Sequence, residues 1–231
     1  MPRLPDSPQL IWDETGAPRA VRFDDVYFSK DGGLEETRAV FLAGCGLPDG
    51  WAGKRAFSIL ELGFGTGLNA LATWQAWDKT RAPGAVMHYL SVEAFPMSRA
   101  DAARALAAFP ELAPYAERLL AVWPERARGP QRFWFDGFGL TILVAPADEA
   151  LKGLEGRFDA IFLDGFSPAR NGDLWSDTLM AEVARLSAPD ARLATYSVAG
   201  HVRRALSAVG FACEKREGFA GKRERLEARF Q

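Results

Sequence analysis

Four apolar runs of strand length recur along the chain, and each is flanked by turn-forming residues. They span 56–63 (AFSILELG), 87–95 (MHYLSVEAF), 158–166 (FDAIFLDGF) and 192–198 (RLATYSV). Nearly continuous apolar runs of this kind are typical of strands buried on both faces of a sheet. Because helical patterns lie between them, the chain predicts an α/β fold with a mostly parallel central sheet, helices on both faces, and ligands outside the carboxyl ends of the strands.

Three segments show the spacing of amphipathic helices. The first begins at Ser98, where Asp101 three residues later completes a motif like a capping box. Gly210 supplies a stop signal after the third segment. The apolar stripes are Ala102, Ala105, Leu106 and Phe109; then Leu179, Val183 and Leu186; then Val202, Leu206 and Val209. Stripes of this kind pack against a core.

Two regions depart from the alternation of strand and helix. Residues 132–148 carry apolar runs on either side of DGFG, which predicts a hairpin insertion, and the tail from 211 predicts two more strands, the last antiparallel at or near a sheet edge. The first 55 residues contain many prolines and glycines and fit the pattern poorly. With no linker or composition break, the prediction is one domain, 1–231, with an N-terminal extension (1–55) and a core (56–231).

Composition narrows the function classes. The chain has 231 residues, 48% of them hydrophobic and 25% charged, and a formal net charge of -2, so any nucleic acid must be held by a local patch or a pocket. The two cysteines, Cys45 and Cys213, form no CxxC pair and are expected as reduced thiols, and no metal site is expected. No segment approaches the roughly 20 apolar residues of a membrane span and no signal peptide is evident, which favours a cytoplasmic protein.

The segment ELGFGTGLN (61–69) lies between the first run and a helical pattern that begins near Leu68. Glycines let a ligand approach the backbone closely, and the helix offers unpaired N–H groups, so the loop suits a nucleotide-containing cofactor. The spacing is G-x-G-x-G, with Leu68 where a dinucleotide-binding loop has its third glycine, and no Gly-Lys-Ser/Thr follows as a P-loop requires. The order E-x-G-x-G-x-G resembles the first motif of S-adenosylmethionine-dependent methyltransferases.

Two carboxylates are candidates for cofactor recognition. Glu93 ends the second run, where a carboxylate accepts hydrogen bonds from ribose hydroxyls. NAD enzymes share this feature. Asp148, after the presumed hairpin, is a candidate acceptor for an adenine amino group. The alternative for each is a solvated loop acid.

The most specific segment is IFLDGFSPARNGDLW (161–175). Asp164 follows a buried strand and is expected beside the glycine loop, and Phe166, Arg170, Asn171 and Trp175 offer stacking, charge and amide groups. This set suits a small polar substrate with a flat ring. The alternative is an aspartate that caps the next helix, with the aromatic residues in the core.

Taken together, the motifs resemble one family that covers nearly the whole chain. The matching segments are FDDVYFSKDGGLEETRAVFL (23–42), ELGFGTGLN (61–69), FLDGFSPARN with DLW (162–175), LATYSVAGHVRRAL (193–206) and GFACEKREGFAGKRE (210–224). They resemble the methyltransferases of the tRNA 5-methylaminomethyl-2-thiouridine pathway, the MnmD type, which also form one half of bifunctional MnmC proteins. The resemblance implies a Rossmann-like class I fold and methyl transfer from S-adenosylmethionine to the aminomethyl group of a wobble uridine in tRNA.

The resemblance and the motifs together assign roles to residues. The resemblance makes Asp164 the acid nearest the reacting amine and the candidate catalytic residue. The hypothesis is that it holds the ammonium and orients the amine after proton loss; whether it also accepts the proton, directly or through water, or only binds the amine is left open. The expected cofactor contacts are Glu61, Gly63, Phe64, Gly65, Thr66, Gly67, Asn69, Glu93, Asp148 and Asp164. The expected substrate contacts are Tyr27, Glu35, Phe166, Arg170, Asn171, Trp175, Lys222 and Arg223. Arg170 stands where the family more often has lysine, which keeps the charge but changes the donor geometry.

Residues 201–231 carry eight Lys/Arg against four Glu. Charge runs are usually solvated faces, but Lys222 and Arg223 are candidates for tRNA phosphates. The base is expected to flip into the pocket.

The chain shows no second G-x-G-x-x-G domain, so no flavin-dependent oxidase activity is expected. Its oligomeric state is left open, with a monomer favoured.

Two other classes of function remain as alternatives. One is a methyltransferase that acts on a small molecule or a protein, and the other is a noncatalytic nucleotide-binding module. Fold alone does not separate these classes.

Overall fold

The computed structural model describes residues 7–14, 16–28, 32–124, 128–219 and 224–231. The strands are β1 (Leu10–Trp12), β2 (Pro18–Ala20), β3 (Asp25–Val26), β4 (Ala56–Leu62), β5 (Val86–Glu93), β6 (Gly129–Phe135), β7 (Phe138–Val144), β8 (Phe158–Leu163), β9 (Ser187–Thr195), β10 (Phe211–Glu217) and β11 (Glu224–Phe230). The helices are α1 (Gly33–Thr37), which continues as a π-helical segment (Arg38–Ala43), α2 (Leu68–Thr80), α3 (Arg99–Leu106), α4 (Ala113–Ala121), α5 (Ala147–Lys152), α6 (Asp177–Arg185) and α7 (Gly200–Ala208). Short 3₁₀ turns lie at Asp49–Trp51, Pro110–Leu112 and Gly172–Trp175.

The central sheet has eight strands in the order β10-β11-β9-β8-β4-β5-β7-β6. Strands β9, β8, β4, β5 and β7 run parallel, whereas β6 is antiparallel to β7, and β11 is antiparallel to both β9 and β10. Leu62 at the end of β4 pairs with Val92 of β5 and with Leu163 of β8. The carboxyl ends of three strands therefore meet at one edge, which brings together the segments that follow them.

The predicted elements are confirmed, with shifts at their ends. The four apolar runs become β4, β5, β8 and β9, but each strand ends one to three residues before its run does. Phe95 and Phe166, which follow β5 and β8, line a cavity instead of joining the sheet. The predicted hairpin is β6–β7, and β11 is inserted between β9 and β10 as an antiparallel strand.

The predicted start of α3 and the predicted stop after α7 are also confirmed. The Ser98 hydroxyl accepts a hydrogen bond from the Asp101 N–H (3.1 Å) at the start of α3. Gly210 follows α7 with a φ of +99°, a left-handed conformation that favours glycine. Helices α1, α4 and α5 were not predicted, because the first two lie in Pro- and Gly-rich surroundings and α5 has only six residues.

Apolar residues pack on both faces of the sheet. On one face, Trp74 of α2 stacks on Phe138 of β7 with ring centroids 5.1 Å apart. On the other, Leu179 of α6 and Leu206 of α7 pack against residues of β4 and β8. Each fully buried side chain of this size contributes roughly 1.5–3 kcal/mol. The core thus holds the strand ends of the candidate site in fixed positions.

The N-terminal extension contacts the loop that follows β8. Strands β1, β2 and β3 form a separate antiparallel sheet, and the loop before β3 places Phe23 in a stack on Phe166 with centroids 4.6 Å apart. The Ser167 N–H donates to Asp25 Oδ2 (2.9 Å), and Arg170 pairs with Asp24 (2.7 Å). Within the described residues, no helix has the length and apolar character needed to cross a membrane.

Candidate active site

A cavity of about 480 Å³ opens at the carboxyl ends of β4, β5 and β8. The loop after each of these strands contributes to its wall, and α1 and the N-terminal extension complete it. The predicted site residues that line it are Tyr27, Gly63, Phe64, Gly65, Thr66, Asn69, Glu93, Asp164, Phe166 and Asn171. Its volume lies within the range of small-molecule and cofactor sites.

The glycines of the loop after β4 allow two close approaches. Gly63 has a φ of +99°, and a Cβ there would lie 1.9 Å from the backbone oxygen of Asp164. Gly65 has a φ of +53°, and a Cβ would lie 3.1 Å from the Tyr27 ring. Gly63 therefore admits the neighbouring strand end, and Gly65 admits the side chain of the N-terminal extension that faces the loop.

Glu93 joins the end of β5 to the glycine loop. Its Oε2 accepts a hydrogen bond from the Gly65 N–H (3.0 Å), and its Oε1 accepts one from the Phe95 N–H (2.8 Å). Desolvation raises the pKa of this carboxyl, while the backbone donors act in the opposite direction. A carboxylate at this position is suited to accept the hydroxyls of a ribose.

Asn69 of α2 connects two carboxyl groups. Its Nδ2 donates to Glu61 Oε1 (2.9 Å) and to Asp164 Oδ2 (2.6 Å). Glu61 is only 1% exposed and lies beneath the cavity wall, whereas Asp164 lines the cavity. Burial, with a smaller contribution from the charge of Asp164, raises the pKa of Glu61 to about 8, so Glu61 carries a proton at neutral pH.

The raised pKa of Glu61 predicts how stability depends on pH. Below pH 4.5, its ordinary value, the folded and unfolded states both hold the proton; between pH 4.5 and about 8 only the folded state holds it. The free energy of unfolding therefore falls as the pH rises through this window, by up to about 1.4 kcal/mol per pH unit. We expect Glu61→Gln to flatten this slope in urea denaturation measured from pH 5 to 8. The exposed Glu149→Gln should keep it, and an equal slope in wild type and Glu61→Gln would contradict the assignment.

The cavity is acidic. Asp25, Glu36, Glu93 and Asp164 all line it, and none of the lining residues that the structure describes is a lysine or an arginine. Tyr196 lies among three of these groups: after burial, the charges of Asp164, Asp25 and Glu36 raise its pKa. The site thus favours cationic ligands over anionic ones.

Sequence reasoning selected Glu35 but missed Glu36, Asp25 and Tyr196. Glu35 is exposed and lies 4.0 Å from Arg38, whereas Glu36 is 9% exposed and lines the cavity. The signal was present in the sequence, because Gly33, Glu36 and Thr37 have the i, i+3, i+4 spacing of one helix face. Because no helix was predicted over these residues, the spacing was not recognised as one face of α1.

Several predicted contacts lie away from the cavity wall. Gly67 caps the N-terminus of α2, and Asp148 is exposed in the first turn of α5, beside Ala147, which does line the cavity. Trp175 is buried in the core, where its Nε1 donates to the Phe166 carbonyl (2.9 Å). Trp175 therefore supports the loop, and its predicted stacking on a substrate does not fit this position. Lys222 and Arg223 lie outside the described residues.

Aromatic rings surround the opening. Phe23 lies between Phe166 and Phe95, with centroids 4.6 and 5.9 Å away, and Tyr27 meets Phe166 edge-on at 5.2 Å. The guanidinium of the exposed Arg22 lies 4.4 Å from the Phe95 centroid. Rings and cations in this arrangement offer stacking partners for a base or a nucleoside.

Comparison with known proteins identifies the family. A family described as S-adenosyl-L-methionine-dependent methyltransferase matches residues 110–231, just over half of the chain. The chain belongs to this family of methyltransferases. The crystal structure of MNMC2 from Aquifex aeolicus matches it with a TM-score of 0.77 and 22% identity over 96% of this chain and 70% of that one, so the two share a fold. The predicted Rossmann-like methyltransferase fold is confirmed.

Two curated relatives are more similar in sequence. Proteins named tRNA 5-methylaminomethyl-2-thiouridine biosynthesis bifunctional protein MnmC match at 51% identity in Maricaulis maris, over 96% of this chain, and at 52% in Caulobacter vibrioides, over 95%. The methyltransferase spans 38% and 37% of their respective lengths. These matches confirm the resemblance drawn from the motifs.

The site residues fit S-adenosylmethionine. Glu93 ends β5, where a carboxylate is suited to accept ribose hydroxyls, the glycine loop lets a ligand approach the backbone, and the four carboxylates favour a sulfonium and an ammonium. Gly63, Gly65 and Glu93 are positioned to hold the cofactor, and Phe95 and Ala147 also line the cavity. The individual contacts remain predictions.

Proposed function

We propose that the methyltransferase acts on tRNA and methylates the aminomethyl group of 5-aminomethyl-(2-thio)uridine at the wobble position, giving 5-methylaminomethyl-(2-thio)uridine. The names of the curated relatives support the substrate class. The observation that carries the proposal is the acidic cavity, where Asp25, Glu36 and Asp164 surround Tyr196 beside the glycine loop. We expect the enzyme to act in the cytoplasm as a monomer.

The charge of the cavity matches the acceptor. A primary alkylamine has a pKa near that of lysine, about 10.4, and is mostly an ammonium at neutral pH. The carboxylates that line the cavity attract this form and increase its occupancy of the site. A phosphorylated or carboxylated acceptor would be repelled by the same groups, so the cavity favours amines over anionic acceptors.

The reaction needs a neutral amine in line with the donor. When bound, S-adenosylmethionine supplies an activated methyl group, so that a nitrogen–carbon bond forms as the carbon–sulfur bond breaks. Asp164 holds the ammonium by charge and takes the proton that the amine must lose, directly or through a water. Asp25 and Glu36 keep the amine near Asp164.

The uracil ring requires a flat apolar surface. Phe166 lines the cavity, and Phe23 and Tyr27 pack around it. A base extruded from the anticodon loop gains stacking energy on such rings, roughly 1–3 kcal/mol per base. Arg22 at the rim, together with Lys222 and Arg223, is proposed to contact phosphates.

A substrate comparison tests the function. The purified enzyme is incubated with labelled S-adenosylmethionine and two RNAs that differ only in a 5-aminomethyl or 5-hydroxymethyl group on the wobble uridine, and the nucleosides are identified by mass spectrometry. We expect methyl transfer to the amine alone, because only the amine is a cation. Cofactor binding by calorimetry is the control. If the cofactor binds but the aminomethyl RNA stays unmodified, the proposal fails, and a small-molecule or protein methyltransferase and a noncatalytic module remain.

A further inference from the structure

Three side chains form a line from the protein interior to the cavity. Glu61 lies one residue before the end of β4 and is buried, Asn69 lies in the first turn of α2 and is 4% exposed, and Asp164 follows β8 and lines the cavity. Asn69 Nδ2 donates to both carboxyl groups, and Asn69 Oδ1 accepts from Thr37 Oγ1 (2.8 Å). Turning the amide over would set its oxygen against two carboxyl groups, so these contacts determine its orientation.

The register of β4 and β8 and the turn into α2 bring Glu61, Asn69 and Asp164 together. Glu61 pairs with Phe162 of β8, two residues before Asp164. The glycine loop then reverses the chain, so that α2 starts directly above the end of β4. Side chains in a helix point toward its N-terminus, which directs Asn69 back to the strand ends.

The two carboxyl groups, Glu61 and Asp164, lie in different electrostatic environments. Glu61 faces Asn69 from α2, Asp164 from the end of β8, and the hydroxyls of Tyr89 and Ser91 from β5. Its second oxygen, Oε2, has no well-aligned hydrogen-bond partner among the described residues. An ionised group in this position would be costly, and burial raises the pKa of Glu61 to about 8. Glu61 is thus a neutral acid that supports Asn69 without repelling Asp164.

We propose that Asn69 and Glu61 are positioning residues, which hold the Asp164 carboxylate in the orientation that the accepting amine requires. Asn69 acts by its direct hydrogen bond to Oδ2, and Glu61 acts through Asn69. The inference rests on the proposed function for the identity of the amine. Glu61 was predicted from the sequence to contact the cofactor. In the proposal it instead supports Asp164 from behind, through Asn69.

Kinetics of three variants test the proposal. Asn69→Ala releases Asp164, and we expect kcat to fall by about 10²-fold, the size of effect that a misplaced catalytic group produces. Glu61→Ala should lower kcat in the same direction, and Glu61→Gln should recover most of that loss because an amide replaces a neutral acid of the same shape. The affinity for S-adenosylmethionine should stay within about threefold in all three. The matched control is Gln75→Ala, an amide of α2 that binds Arg38 and the Glu111 carbonyl.

A double-mutant cycle separates positioning from a general loss of structure. In an Asp164→Asn background, Asn69→Ala should have at most a twofold further effect on kcat, because the group it positions is already gone. Additive losses would overturn the proposal. So would a Glu61→Gln variant as slow as Glu61→Ala.

A readout without RNA keeps this inference distinct from the proposed function. The carboxyl carbon of Asp164, observed by NMR in protein labelled at aspartate, should titrate at a different pH in Asn69→Ala than in the wild type. If that shift is found but aminomethyl RNA is not methylated, the proposed substrate fails and the positioning role stands. If methylation occurs but neither the titration nor kcat changes in Asn69→Ala, the positioning role fails alone.

Discussion

Replacing Asp164 by alanine is expected to lower kcat for methyl transfer by roughly 10²- to 10⁴-fold, the range associated with a general base. Asp164 lines the cavity beside the glycine loop, and Asn69 donates to its Oδ2 (2.6 Å). Without this carboxylate, Asp25 and Glu36 still attract the cation, but the group to which we assign the proton transfer is missing. We therefore expect a loss in kcat that exceeds any rise in KM, measured in single-turnover reactions.

The control for Asp164 lies on the same loop. Asp173→Ala removes an exposed carboxylate of the 3₁₀ turn that does not line the cavity, and its kcat should match the wild type. Asp164→Asn keeps the shape but cannot accept a proton as a carboxylate does, and should be nearly as slow as Asp164→Ala. Near wild-type rates in both Asp164 variants, with the cofactor still bound, would remove this residue from the mechanism.

Replacing Gly63 by alanine should disrupt both stability and cofactor binding. The new Cβ would lie 1.9 Å from the Asp164 backbone oxygen, and the Gly63 N–H is bound to the Val92 carbonyl (2.9 Å), so neither segment moves aside without breaking the sheet edge. The left-handed backbone costs about 1 kcal/mol and overpacking about 1–3 more. We expect the free energy of unfolding to fall by roughly 2–4 kcal/mol, and calorimetry to show no S-adenosylmethionine binding.

Gly53 provides the matched comparison. Its φ is +73°, but no atom lies within 4 Å of the position that a methyl group would take, so Gly53→Ala tests the backbone cost alone. We expect a loss of about 1 kcal/mol and unchanged cofactor affinity. Equal losses in the two variants would show that the contact between the loop and Asp164 is not what requires glycine at 63.

The parts of the site that sequence reasoning found are those fixed by local chemistry. Gly63, Glu93 and Asp164 each end a strand or follow it directly, and parallel strands bring their carboxyl ends to one edge whatever the remaining details. The assignment of Trp175 failed for a different reason. An aromatic residue near a polar loop has the same local signature whether it faces a ligand or the core, and here Trp175 is buried in the core.

The sequence by itself determined the succession of strands β4 to β11 with helices α2, α3, α6 and α7, the glycine loop and the family, because these depend on spacing and on motifs that are contiguous along the chain. Only the tertiary structure decided that Glu36 and not Glu35 faces the cavity, that Asp25 and Tyr196 join Asp164, and that Glu61 lies behind Asn69. These relations connect residues up to about 170 positions apart in the chain. Burial and packing set them, because a side chain's charge and direction depend on neighbours that arrive from elsewhere in the fold.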